Sequence, residues 1–357
     1  MQTLPPPDSG TCPQTPAPEL SLARSCTDRD AARRSEPGLL ERLAADPATR
    51  LVLVDARGRV HLDAPAAHPD LPADGLTPAQ AGSPGFTSAQ GAPSLAPLSA
   101  TDLDLAGLVT FYLGQADGVS WVAAVVPPEN EAAQPGDAEG AARSRPDLAA
   151  LTQRYPASAL RAVGAAMTAH DVGLVTPAVA LATWHASAPY CAACGQCTQI
   201  VQAGWARQCP GCGALSFPRT DPAVIMAVTD ERDRIVLVHG AAWQPGRYST
   251  VAGFVEAGES AEAAVVREVA EETGLRVARV EHVATQPWPF PRSLMLGYRA
   301  WLEPGQVTAR PDGEEVTDVR VLSRDELDQA VRKGTLVLPG RTSIARMLID
   351  RWYDAVQ

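Results

Sequence analysis

Gly253-Phe254-Val255-Glu256-Ala257-Gly258-Glu259, continued by Arg267-Glu268-Val269-Ala270-Glu271-Glu272-Thr273-Gly274-Leu275, is the stretch that decides how this chain is read. Six glutamates and one arginine fall between positions 253 and 275. The spacing predicts a helix from about Ser260 to Thr273, stopped by Gly274 in the C′ position that tolerates a left-handed backbone. On it Glu268 and Glu272 are i,i+4 and share a face, with Glu271 beside them. Ala261, Val265 and Val269 form the opposite, apolar stripe. Like charges at that spacing destabilise a helix by about 0.2–0.5 kcal/mol per pair. A divalent cation relieves this, because Mg2+ or Mn2+ takes carboxylate oxygens together with substrate phosphates. The plain alternative is a solvated acidic helix, and a bare Glu-Glu pair would favour it.

Working outward, short apolar runs predict strands at 223–229, 234–239, 248–252, 277–285, 294–302 and 319–322, with a C-terminal helix near 342–353. Strands and helices mix without a βαβ rhythm, which predicts an α+β domain with a mixed sheet flanked by helices. Upstream, 51–55 and 60–62 read as strands about a turn, and 107–113 and 119–126 as two more. Residues 148–170 and 177–185 read as two helices. The stretch 64–100 is rich in proline and glycine and reads as linker, as does the polar insertion 134–145. Six prolines in the first twenty positions mark residues 1–45 as a disordered tail. The expected domains are that tail, an α+β unit over 46–187, a cysteine-bearing segment over 188–217 and the carboxylate domain over 218–357.

Five of the seven cysteines lie within the 22 residues 191–212. Cys191-x2-Cys194 and Cys209-x2-Cys212 are fourteen residues apart, and Gly195, Gly211 and Gly213 allow tight turns. Two such knuckles supply four thiolates to a tetrahedral Zn2+ with no position left for water, so the metal is structural. Cys197 makes an overlapping pair with Cys194 and is read as a spare thiol.

The balance of 30 Lys+Arg against 41 Asp+Glu gives a net charge of −11, which argues against a protein built around a polyphosphate backbone. No run of apolar residues is long enough to span a membrane. Met1 to Pro7 shows no charged or apolar signal region, so the cytoplasm is the expected location.

The spacing of glycine, glutamates and arginine resembles the Nudix box, G-x5-E-x7-R-E-U-x-E-E-x-G-U with U aliphatic. Gly253, Glu259, Arg267, Glu268, Val269, Glu271, Glu272, Gly274 and Leu275 fill every position. The resemblance implies a Nudix α/β/α sandwich and metal-dependent hydrolysis of a nucleoside diphosphate linked to another group. Beyond the box, Thr285-Gln286-Pro287-Trp288-Pro289-Phe290-Pro291-Arg292-Ser293 reads as a stiff, extended segment presenting Trp288 and Phe290. Such aromatics stack on a base or cap a core equally well.

That segment is similar to the S-Q-P-W-P-F-P-x-S signature of NADH pyrophosphatases (NAD+ diphosphatases), with Thr285 for the leading serine. The family also carries a four-cysteine zinc ribbon just before its Nudix domain and a degenerate Nudix-like N-terminal domain. The resemblance implies catalytic Mg2+ or Mn2+ held by Glu268, Glu272, Glu315 and the carbonyl of Ala252. Glu271 would bind a metal or help activate water, and Arg267 would orient the glutamates. Substrate binding is implied for Gln286, Pro287, Trp288, Pro289, Phe290, Pro291, Arg292 and Ser293, and for Phe217, Phe254 and Ala345. Gly204 stands where some members carry a substrate-contacting glutamate. Implied products from NADH or NAD+ are NMN(H) and AMP; NAD-capped RNA is a second implied substrate and a homodimer the implied assembly. The rivals are a Nudix hydrolase for ADP-ribose or another diphosphate, and a non-catalytic nucleotide-sensing regulator.

Overall fold

Asp55 and Arg59 close the first turn: Asp55 Oδ1 accepts the Arg57 and Arg59 amides at 2.9 and 2.8 Å. The turn joins β1 (Arg50–Asp55) to β2 (Arg59–Asp63). The computed structural model describes residues 20–63, 92–127, 145–306 and 308–355. Within these, β3 (Ser94–Leu95), β4 (Leu98–Ser99), β5 (Thr110–Ala116), β6 (Val119–Val126) and β7 (Ala157–Ala159) complete a sheet of main order β3-β2-β1-β6-β5. Helices α1 (Leu39–Ala44), α2 (Pro146–Arg154), α3 (Leu160–Val163) and α4 (Ala169–Ser187) cover it. Strand periodicity fills both faces. Val52 and Val54 pack with Val172, Val175 and Val179 of α4, while Leu51 and Leu53 pack with Leu148 and Tyr155.

The long helix expected over 148–170 is broken, because Pro156 follows Tyr155 and the residue before a proline is pushed out of the helical region. The next helix begins at Ala169, earlier than the expected 177. Thr168 accepts the Asp171 amide at 3.1 Å and caps it, so Pro177 lies inside the helix.

A three-stranded ribbon follows, made of β8 (Gln199–Val201), β9 (Ala206–Gln208) and β10 (Leu215–Ser216) in the order β10-β9-β8. The last unit holds β11 (Asp221–Thr229), β12 (Ile235–Gly240), β13 (Val251–Phe254), α5 (Ala261–Thr273), β14 (Val277–Trp288), β15 (Ser293–Leu302), β16 (Val316–Leu322), α6 (Arg324–Arg332) and α7 (Ile344–Asp354). The sheet order is β14-β15-β11-β12-β16, with β13 on β11. Val224, Met226 and Val228 of β11 face Val265 and Val269 of α5, and Ile225 and Ala227 face Leu348 and Trp352 of α7. The layers are therefore helix, mixed sheet, helix.

The first unit repeats this plan. Its path β5-β6-β1-β2 matches β14-β15-β11-β12, with the same parallel pairing at the centre, β1 to β6 and β11 to β15. β4 lies on β1 as β13 lies on β11. Where α5 stands in the second unit, the first has only the short 3-10 turn Ala100–Asp102 and no carboxylate helix.

Residues 20–45, expected in a disordered tail, are folded. Leu20 is 1% exposed in the core beneath α7, and Leu22 is 2% exposed in the core of the first unit. Arg24 donates to the carbonyls of Gly164 and Met167 at 3.0 and 2.9 Å, and Ser21 Oγ to that of Arg341 at 3.3 Å. Two leucines flanking a serine thus clip both units together, a pattern too short to show as periodicity. The tail's residues 1–19, and 64–91 and 128–144 of the two expected insertions, lie outside the described residues. Among the described residues no helix is long and apolar enough to cross a membrane.

Between α4 and the ribbon, His185 is buried with Nδ1 3.0 Å from Arg207 Nη1 and Nε2 2.9 Å from the Gly204 carbonyl. Burial, against the Gly204 bond and with the Arg207 charge, lowers its pKa to about 4. Unfolding returns it to about 6.5, so between these values the unfolded chain binds the extra proton. Its contribution is complete above pH 6.5 and is lost as pH falls toward 4, amounting to ~3 kcal/mol. Denaturant unfolding across that window is expected to show this slope, and His185→Gln to flatten it.

Candidate active site

Two turns of matching shape present the four cysteines. Gly195 donates to the Cys191 carbonyl and Gly213 to the Cys209 carbonyl, both at 2.9 Å, with φ of +75° and +74°. Glycine takes that backbone conformation without a Cβ clash. The sulfurs of Cys191, Cys194, Cys209 and Cys212 all lie within 4.8 Å of one another. Cys197 stands outside the set, with Sγ 3.9 Å from the Thr198 carbonyl. Amides of Ala193 and Cys194 draw the Cys191 thiol below its ordinary range, and the Cys212 amide leads in drawing Cys209 down to about 6. Although the Gln196 amide favours its thiolate, Cys194 is pushed up to about 12 by the Cys209 and Cys212 sulfurs. Crowded sulfurs with amides aimed at them fit a tetrahedral dication such as Zn2+, and four protein ligands close the site to water.

The carboxylates are assembled on α5. Ser260 caps it by accepting the Ala263 amide at 3.2 Å, and Gly274 ends it at φ +66°. Arg267 then gathers the box. Its Nε and Nη2 reach both oxygens of Glu259 at 2.9 Å, and Nη1 reaches Glu268 and Glu271 at 2.8 Å each. Nη2 also donates to the Phe254 carbonyl at 2.8 Å, tying helix to strand β13. Gly253 on β13 leaves room for Glu268: a Cβ there would lie 1.9 Å from its Cδ.

Glu268 and Glu272 are 8% and 5% exposed, whereas the Glu271 side chain is 58% exposed. Burial, followed by the charges of Glu268, Glu315 and Asp312, pushes Glu272 up to about 8, against the pull of the Ala252 amide. Burial also raises Glu268, against the pull of Arg267. Three mutually repelling carboxylates with two of them buried suit a divalent cation, whose charge would invert these shifts. Glu315, and not its neighbour Glu314, is the one coupled to both helix glutamates. Asp312 organises that turn, accepting the amides of Glu314, Glu315 and Val316 at 2.8–3.1 Å. It escaped the sequence reading, although Asp-Gly is an Asx-turn signal.

Glu272 and Glu315 open into a cavity of about 340 Å3 lined also by Ala252, Trp243, Trp288 and Ser343. Of the proline-aromatic segment, only Trp288 reaches it. The segment is the end of β14 and the turn into β15, where Pro287 pairs with Leu294 and Trp288 with Ser293. Phe290 meets the Trp288 ring edge-on at 4.9 Å and packs with it against the core of the first unit. Pro289 and Pro291 flank it in the turn, and Arg292 pairs with Asp221 at 2.8 Å.

Two expected substrate contacts are otherwise engaged. Gln286 is fully buried: Oε1 accepts the Leu22 amide at 3.4 Å and Nε2 donates to the Thr342 carbonyl at 3.0 Å. It is a strut between the N-terminal clip and the loop before α7. The Ala345 amide is taken by Ser343 Oγ at 3.2 Å, and its side chain is buried. Phe217 and Phe254 are 58% and 60% exposed and line no part of the cavity. Gly204 has φ +93° with Phe111 Cβ 2.4 Å from any added Cβ, so a glutamate does not fit there.

Residues 219–340 match the NUDIX domain family, and residues 186–217 match the NADH pyrophosphatase zinc ribbon domain family. The chain is 44% identical over 201 residues to a protein of Mycobacterium bovis called NAD-capped RNA hydrolase NudC, covering 54% of this chain and 64% of that one. A Pseudomonas aeruginosa protein of the same name is 42% identical over 167 residues, covering 47% and 56%. The chain thus matches less than two thirds of these relatives' length. A Nudix hydrolase structure from Nitrosomonas europaea overlaps 47% of this chain and 91% of its own at 20% identity and a TM-score of 0.39.

Lysine cannot supply the guanidinium fork that joins three glutamates. Arg267→Lys is therefore expected to weaken divalent metal binding by about 10–100-fold, as measured by calorimetry. Gln286→Leu strands a buried amide and a buried carbonyl and is expected to cost ~2–4 kcal/mol of stability in denaturant unfolding.

Proposed function

Because the chain carries a Nudix domain behind the zinc ribbon of NADH pyrophosphatases, we propose that it hydrolyses the diphosphate bond of NADH and NAD+. The products are NMN(H) and AMP. The observation that carries this reading is one cavity in which the box carboxylate Glu272, Glu315 and Trp288 of the proline-aromatic segment meet. Diphosphate-cleaving groups and a ring-binding wall then act on one dinucleotide.

Glu268, Glu272 and Glu315, with the Ala252 carbonyl, would hold Mg2+ or Mn2+. Such a metal, when bound, would supply charge neutralisation for the diphosphate oxygens and a lowered pKa for a water nucleophile. The protein's own part is positional. Arg267 fixes the helix carboxylates, Gly253 makes room for Glu268, and buried walls limit water around Glu272. Glu271, the most exposed of the box carboxylates, stays open to solvent beside them. The four-cysteine zinc is structural and stands apart from the chemistry.

Phe217 and Phe254 remain exposed in one chain, in keeping with a homodimer in which they close on a substrate ring at the subunit interface. The relatives' name, NAD-capped RNA hydrolase, supports a second substrate for the same bond-breaking step, an NAD-capped RNA 5′ end. The net charge of −11 gives no support for tight binding of such RNA, which would be met in the cytoplasm.

Purified protein is expected to convert NADH and NAD+ to NMN(H) and AMP with Mg2+ or Mn2+, and Glu272→Gln to lose about 100-fold or more of the rate. Chromatography of products from NADH, NAD+, ADP-ribose and NAD-capped RNA ranks the substrates. Cleavage of ADP-ribose alone would overturn the NAD reading. No cleavage with zinc retained and either metal present would favour a nucleotide-sensing regulator.

A further inference from the structure

The loop after β12 has no assigned role, yet it forms one wall of the catalytic cavity. Gly240, Ala241, Ala242 and Trp243 line it together with Trp288, Glu272 and Glu315. The loop is fixed at both ends. At His239/Gly240 the pairing shifts register, with one extra residue on β16, and Gly240 pairs with Val316 at the end of β12. Ala241 then donates to the Glu315 carbonyl and Trp243 to the Gly240 carbonyl, each at 2.9 Å. The indole itself is held against Gly240, where any Cβ would lie 3.0 Å from Cε2, and near the Arg247 guanidinium, 5.5 Å from its centroid. Trp243 is nonetheless 36% exposed. A fixed, part-exposed indole facing a cavity is an incomplete packing arrangement. The cavity also holds an unmet polar group, since Thr250 is 2% exposed and its buried hydroxyl has no hydrogen-bond partner.

Strand β13 gives the order of parts along the site. Thr250 and Ala252 line the cavity, Gly253 faces Glu268, and Phe254 follows as an exposed ring outside it. With strand residues about 3.3 Å apart, a ring in the cavity and a ring on Phe254 lie on opposite sides of the carboxylates. A dinucleotide has that layout, with one ring at each end of its diphosphate.

We propose that Trp243 is a specificity-determining residue: with Trp288 and Thr250 it receives one ring-bearing mononucleotide half of the substrate, while Phe254 receives the other. This rests on the dinucleotide reading above and adds a second, separate ring subsite to it.

The test is calorimetric titration of AMP and of NMN, each with Mg2+, into the full chain and into Trp243→Ala, Trp243→Phe and Phe254→Ala. Trp243→Ala is expected to weaken one mononucleotide about tenfold, the scale of a lost aromatic stack, and to leave the other unchanged. Phe254→Ala is expected to do the converse, and Trp243→Phe to stay within about threefold of wild type. Thermal unfolding of each variant checks its fold. The proposal is overturned if Trp243→Ala alters neither ligand, alters the same one as Phe254→Ala, or if wild type binds neither. NAD+ turnover, measured in parallel, tests the underlying activity separately: a wild type that binds both halves on separate walls but leaves NAD+ intact sinks the hydrolase reading alone.

Discussion

Everything at the carboxylate site depends on Arg267. A helix face bearing Glu268, Glu271 and Glu272 is repulsive on its own, and two of those groups are buried, where an unpaired charge is most costly. One guanidinium meets three glutamates and a strand carbonyl at 2.8–2.9 Å. It thus offsets the repulsion on the helix and locks α5 to β13 in the same contact. Glu272 receives no such partner. One buried carboxyl, next to Glu315, is therefore left without a cationic partner, and it is there that a cation gains most.

The same layered plan is used twice with different outcomes. Both sheets place one parallel pair at the centre and fill both faces by strict alternation. The second unit spends one of its connections on a thirteen-residue helix, and the corresponding connection of the first unit, residues 100–109, holds only a three-residue 3-10 turn. The scaffold is thus independent of the chemistry. The first unit's contribution is mechanical: its core supports Trp288 and Phe290, and through them the wall of a cavity belonging to the other unit.

Much of this was legible from local pattern. The helix over 260–273 stood on an apolar stripe, a serine cap and a terminal glycine, all local features, and it forms at Ala261–Thr273. The cysteine pairs were legible for the same reason, since two residues and a glycine dictate each knuckle. Less legible were features set by distant partners. Gln286 reads as a polar residue in a binding motif, but Leu22 and Thr342 occupy both ends of its amide. Phe290 reads equally as a base-stacking or a core-capping aromatic, and the first unit's core stands behind it. Trp243 carries no periodic signal, because it stands in the loop after β12, outside any strand alternation. The clip at Leu20–Arg24 is one residue deep on each side, below what a hydrophobic pattern can register.

That clip has a consequence for how the chain is assembled. Ser21 bonds to Arg341, 320 residues away in sequence, and Leu20 completes a core whose other members include Met347 and Trp352. During synthesis the clip emerges well before its seat. Contacts of such long sequence separation carry the largest loop-closure cost and slow the final step of folding. Until then the underside of α7 lacks one of its leucines and Gln286 lacks its amide partner. The carboxylate-bearing unit of a nascent chain therefore reaches its finished packing only once both sides of this contact have emerged, with the Leu20–Arg24 clip as the closing piece.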